Sequence, residues 1–184
     1  MAEVTPDPGW PRGPSLVFPM PAYLLRREGA DGRRVCREIT VSFVYAQVAV
    51  AVVALLVMGT TGGSAVVQWL VLGAVGLGAV GLRTWAHRPL DCASDAGLVV
   101  GYQTRFFIRS AAANAVGLVG FVVRQLGPSP WPSVVGAVVA IGLLVLDAPT
   151  QAALRREDAA LAEEGCGRSL VAALAAGLPP IGRR

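Results

Sequence analysis

Residues 65–82 run for eighteen positions without a charge, and four of them, Gly73, Gly76, Gly78 and Gly81, are glycine. In water each such glycine would cost a helix up to about 1 kcal/mol relative to alanine. Inside a bilayer the missing side chains instead let a second helix approach closely, as in small-xxx-small packing. A polar stretch with Arg83, His87, Arg88, Pro89, Asp91 and Asp95 follows, and the chain is apolar again over about 96–124. Residues 65–124 therefore read as a helical hairpin that belongs in lipid.

Two more apolar runs flank it. Residues 39–58, ITVSFVYAQVAVAVVALLVM, would rise about 30 Å as a helix, the thickness of a hydrocarbon core. Residues 131–147 begin within the rigid turn at 127–132, and Asp147 with Pro149 beyond it stops the run. Only 15% of the chain is charged, against about 25% in a soluble domain, and the deficit sits in these runs. The expected fold is an all-α membrane protein with four transmembrane helices arranged as two hairpins. The spans are about 39–58, 65–82, 96–124 with an interfacial start, and 131–147. A Pro- and Arg-rich segment, 1–38, precedes this 39–147 domain, and an amphipathic tail, 148–184, follows it.

The third span is the least regular. Its uninterrupted part, 110–123, is short, so Arg105 and Arg109, four apart on one face, are expected to snorkel at one edge and Arg124 at the other. Arg83 and Arg88 are expected to reach headgroups in the same way. A re-entrant segment is the competing reading. Asp147 reads as a solvated helix terminus; within the membrane it would instead be a functional candidate.

All sixteen basic residues are arginine. With so much Ala, Val and Gly, that composition is associated with GC-rich bacterial genomes. The N-terminal segment, the central loop and the tail hold nearly all the arginines on one side, and the other side has Arg124 alone. The positive-inside rule then places both termini in the cytoplasm of a multi-pass protein of the bacterial plasma membrane.

The ends are less apolar. Residues 1–38 contain six prolines, which prevent regular helix over the first twenty positions. No apolar core of the signal-peptide kind is present, so no cleavage is expected. An apolar island at 17–25 could rest among headgroups, whereas residues 1–16 read equally well as a disordered tail. In the C-terminal tail, TQAALRREDAALAEE is a helical pattern closed by Gly165. SLVAALAAGLPP offers Ser169 as N-cap and Gly177 with Pro179 as stop. Its apolar residues are too few to cross a bilayer, so it lies on the membrane or docks on the bundle.

Little in the chain suggests chemistry. Gln47 and Asn114 are the strongly polar residues expected at bilayer depth, Gln68 beside Trp69 reading as interfacial, and an amide in lipid wants a partner on a neighbouring helix. Lining a solute pathway is the sharper alternative. Cys36, Cys92 and Cys166 lie far apart, form no CxxC pair and are not at metal-ligand spacing from His87, so they read as free, reduced cytoplasmic thiols. Asp91 and Asp95 are explained as caps of the helix beginning near Ala96. No metal, cofactor or catalytic set is expected, and no nucleic-acid partner, because basic and aromatic residues are not interleaved. The expected partners are the bilayer and, across the glycine face, a second copy or another membrane protein.

The hairpin resembles that of the proton-carrying subunit c of rotary ATP synthases. The series GAVGLGAVG at 73–81 is similar to that family's glycine-rich first helix, His87-Arg88-Pro89 to its basic-polar-proline loop, and Thr104-Arg105-Phe106-Phe107-Ile108 to the lead into its second helix. Counting from there, the position of the family's essential carboxylate falls on Asn114. An amide cannot take up and release a proton, so the resemblance implies a related hairpin without the carrier function. The chain also resembles uncharacterised four-helix membrane proteins of actinobacteria, which implies topology alone. The expected role is a structural, accessory or assembly component that is not an enzyme, with a transporter or channel component as the alternative.

Overall fold

The computed structural model describes residues 6–11, 31–57, 62–86 and 89–177. Among them there are six helices and no strand: α1 (Gly32–Val57), α2 (Ala65–Trp85), α3 (Asp95–Arg124), α4 (Trp131–Leu146), α5 (Gln151–Glu163) and α6 (Leu170–Ala175). Three segments, Gly32–Leu56, Ala65–Trp85 and Asp95–Arg124, are long and apolar enough to cross a membrane. A fourth qualifies if α4 and α5 together form one broken span. At sixteen residues, α4 alone rises about 24 Å, short of the roughly 30 Å core. The regular structure of the described residues is all-helical, with three to four apolar helices among them compatible with a membrane protein.

α1 begins at Gly32, ahead of the expected start at 39, because its charged first turns are neutralised locally. Asp31 caps the helix, its Oδ1 accepting from the Arg33 N–H at 2.8 Å. The same carboxylate pairs with the Arg33 guanidinium at 2.7 Å, and Arg34 pairs with Glu38 one turn on at 3.0 Å.

The chain divides into two compact units. The first comprises residues 1–42, 89–104 and 148–184. Its buried apolar residues include Cys36, Ile39, Leu98, Val99, Leu154, Leu161, Leu170 and Leu174. α5 packs against α6, so the leucines spaced seven apart in α5 face protein. Thr150 caps α5 through Ala153 N–H, and Ser169 caps α6 through Ala172 N–H. Asp158 joins the two helices, accepting from Ser169 Oγ at 2.8 Å and from Leu170 N–H at 2.5 Å. The turn between them passes through Gly165 at φ 85°, a left-handed conformation that glycine adopts without strain. The C-terminal helix docks on protein; Leu170 and Leu174 have no exposed surface.

One expectation fails in this unit. Cys92 and Cys166 are joined by a disulfide, with Cα atoms 5.7 Å apart, and Cys36 alone remains a buried thiol. The two cysteines stand 74 positions apart, and their spacing carries no sign of the pairing.

Residues 6–11 are not helical, as their prolines require, yet they are tied down. Arg37, fully buried, donates to the Pro149 carbonyl at 3.0 Å and the Gly9 carbonyl at 3.0 Å, and pairs with Asp7. Its guanidinium carbon lies 5.3 Å from the centre of the Trp10 ring. Arg33 adds a bond to the Pro6 carbonyl at 3.2 Å. The apolar island at 17–25 lies outside the described residues.

The Arg37 hydrogen bond holds the Asp7 carboxyl below its ordinary value of 3.8, outweighing the opposing effect of burial. A depressed folded pKa means that the stabilisation is complete above the unfolded value and is lost as pH falls through the lower folded one. The 6–11 segment is therefore expected to stay docked down to about pH 4 and to come away below it. Fluorescence of a variant retaining Trp10 alone should report this acid transition, and Asp7→Asn should remove it. A transition that persists in Asp7→Asn would assign it to another group.

The second unit comprises residues 43–88 and 105–147. Leu72, Val75 and Ala79 of α2 pack against Ala112 and Val116 of α3, and α2 also contacts α4. α3 and α4 approach most closely at Gly120 and Gly136. A Cβ on Gly120 would stand 2.6 Å from the Pro132 carbonyl oxygen and 3.0 Å from Gly136 Cα. The expected glycine face is placed differently. Gly73, Gly76, Gly78 and Gly81 have no atom within 4 Å of where a Cβ would sit. Within one chain the tight helix contact uses Gly120 and Gly136 instead.

Candidate functional site

Three groups of polar residues in the second unit pair within the chain. Gln47 of α1 and Asn114 of α3 meet: Gln47 Nε2 donates to Asn114 Oδ1 at 2.5 Å and lies 3.4 Å from the Asn114 carbonyl. Gly117, one turn further along α3, makes room for this amide, since a Cβ there would collide with the Gln47 side chain. Gln47 is buried, and its Oε1 has no hydrogen-bond partner. Sequence reasoning expected both amides to bond between helices, and the structure brings them to each other.

Gln68, read from sequence as an interfacial residue beside Trp69, has no exposed surface. Its Nε2 donates to the Val123 carbonyl at 2.9 Å and the Ser129 carbonyl at 3.3 Å, and its Oε1 accepts from Ser129 N–H at 3.3 Å. Those carbonyls belong to the last turn of α3 and the proline-rich turn after it, where helical partners run out. Gln68 supplies what the backbone lacks there. Gly127 lies against its side chain, where a Cβ could not fit.

The third group is ionic. Asp147 follows α4, a helix C-terminus, where a negative charge is unfavourable. Its side chain is only 5% exposed, and it pairs with Arg83 at 2.9 Å, with Arg109 3.9 Å away. Arg83 stands in the last turn of α2, so its charge suits that helix end. Asp147 is thus no solvated terminus. Arg83 and Arg109 both turn to it. A signal was present: Asp147 is the one acid within the four expected spans, and a lone carboxylate there needs a cation.

The other arginines divide. Arg105 is partly buried, and Arg124 is 5% exposed, so the latter does not extend outward from its helix end as expected. His87 and Arg88 lie outside the described residues. The expected caps of α3 are placed differently: Asp91 accepts from Ala93 N–H at 2.9 Å, Asp95 pairs with Arg168 at 2.7 Å, and Ser94 Oγ accepts from Gly97 N–H at 3.0 Å. Among the described residues no three His, Cys, Asp or Glu side chains could together hold a metal ion. The groups present can hold helices and turns in register. No acid, base and nucleophile converge in them.

No protein-family model, curated protein or solved structure matches the chain.

Proposed function

We propose that the chain is a multi-pass protein of the bacterial plasma membrane, with four spans in two hairpins and both termini cytoplasmic, serving as a structural or accessory component. A parity argument supports four crossings. Residues joined by a disulfide or hydrogen bond must share one side of a bilayer, so an even number of crossings separates them. Cys92 bonds to Cys166 across α3 and α4, and Arg37 bonds to the Pro149 carbonyl across α1 to α4. If α4 did not cross, both contacts would have to pass through lipid. Sixteen residues then suffice with local thinning or flanking polar groups.

One observation carries the structural role. Gln47, Gln68 and Asp147, the polar groups that a conduit would present to its solute, are each turned to a partner in the same chain. Such amide bonds between membrane helices contribute about 0.6–1 kcal/mol each. The open face around Gly73, Gly76, Gly78 and Gly81 offers a second copy or another membrane protein a close approach. A second reading, a transport component with a subunit-c-like hairpin, draws on the unbonded Gln47 Oε1 beside Asn114.

Purified protein in detergent is expected to have the mass of one or two copies, and reconstituted vesicles to pass no ions above background. Asn114→Leu should behave as the parent in flux and lose about 1 kcal/mol of stability. A ring-sized mass, or flux that Asn114→Leu abolishes, would favour the transport reading. A reporter fused to the C-terminus that proves active only outside the cell would overturn the orientation.

A further inference from the structure

The Cys92–Cys166 bond and the arginine distribution point in opposite directions. Disulfides persist in oxidising compartments and are rare in the cytoplasm, where those present are transient or redox-sensing. The arginines place this same end of the protein in the cytoplasm. We propose that Cys92 and Cys166 form a reversible dithiol–disulfide site, open in the resting cell and closed by oxidation, which locks the C-terminal segment to the start of α3. The proposal rests on the orientation given above.

Three features suit the pair to this role. The two cysteine-bearing segments share a contact besides their bond. Arg168 reaches Asp95 at 2.7 Å, each residue within three positions of its cysteine, and α6 is seated by Leu170 and Leu174. The reduced thiols would therefore remain neighbours, and closing the bond needs no new docking. Access is unequal: Cys166 is 8% exposed, whereas Cys92 is partly open, which makes Cys92 the sulfur that an exchanging molecule reaches. The third thiol, Cys36, is 1% exposed and does not compete.

The reaction is thiol–disulfide exchange with a low-molecular-weight disulfide. The Cys92 thiolate attacks one sulfur of the small disulfide, forming a mixed disulfide and releasing one small thiolate. The Cys166 thiolate then attacks the Cys92 sulfur, forming the intramolecular bond and releasing the second. Two protein thiols become one disulfide while the small disulfide becomes two thiols, and excess small thiol reverses both steps.

The test uses the full-length protein in intact cells. Free thiols are blocked under acid quench, disulfides are then reduced, and the thiols released are tagged with maleimide–polyethylene glycol. No tags are expected from resting cells and two after a brief thiol-oxidant challenge, falling to none on recovery. Cys92→Ser and Cys166→Ser should each lose both tags, and Cys36→Ser should keep them. In inside-out vesicles oxidation should slow trypsin cleavage at Arg168 by about tenfold or more, since local opening is then opposed by a covalent tie. Absence of tags after the challenge would overturn the pairing. Two tags already in resting cells, with a C-terminal reporter inside, would overturn reversibility. The same two tags with the reporter outside would instead overturn the orientation.

Discussion

Replacing Asp147 with asparagine is expected to destabilise the protein by roughly 2–4 kcal/mol, measured by unfolding in mixed micelles. The carboxylate is 5% exposed and stands between Arg83 and Arg109. Removing it leaves two arginines facing each other in a poorly solvated place, and an uncompensated buried charge costs more than the pair was worth. Arg83 is 27% exposed and Arg109 14%, so both recover some hydration, which keeps the figure below the full buried-pair range. Arg83→Met should cost less than Asp147→Asn, because Asp147 keeps Arg109. The triple variant combining Arg83→Met, Arg109→Met and Asp147→Leu should regain most of the loss, since an apolar replacement removes the desolvated charges together. In a double-mutant cycle the 83–147 coupling should exceed the 109–147 coupling, as 2.9 Å against 3.9 Å requires. A loss under about 0.5 kcal/mol for Asp147→Asn would return Asp147 to the solvent-facing terminus that its sequence position suggests.

That ionic group shows where sequence reading runs out. The apolar helices are legible because lipid demands length and hydropathy, and both are properties of one segment. The tail is legible for a similar reason: Ser169, Gly165 and Gly177 act on their immediate neighbours. Gln47 and Asn114 were open to reading as bonded amides because a buried amide needs a partner and each lacked one nearby. Partnerships between distant segments are another matter. Arg83 and Asp147 are 64 positions apart, and Cys92 and Cys166 are 74 apart; no periodicity links them. The start of α1 was missed because Arg33 and Arg37 read as the end of a polar segment. They are buried by carboxylates and carbonyls of residues 6, 7, 9, 31 and 149, which no local pattern announces.

The glycines separate the same two kinds of information, and they yield the second large prediction. A count of glycines says that a helix could be approached closely; it does not say from which side. α2 has four in nine positions, all facing open space, while α3 and α4 meet through Gly120 and Gly136. Gly120→Ala should therefore cost about 1–3 kcal/mol, and Gly120→Leu more. The added Cβ meets the Pro132 carbonyl oxygen at 2.6 Å and Gly136 Cα at 3.0 Å. Both are backbone atoms of a helix that begins with proline-fixed geometry, so relief requires the two helices to separate. Gly136→Ala meets Gly120 Cα and the Val116 carbonyl at 3.0 Å and should be milder, since a shift of a few tenths of an ångström relieves it. Gly78→Ala touches nothing within the chain and should be neutral or stabilising by up to about 1 kcal/mol in the isolated protomer. If a second copy packs on that face, Gly78→Ala should weaken the dimer without destabilising the protomer, so mass measurement and unfolding would part company for this one substitution. Equal tolerance of alanine at positions 120 and 78 would mean that α3 and α4 do not meet as closely as described.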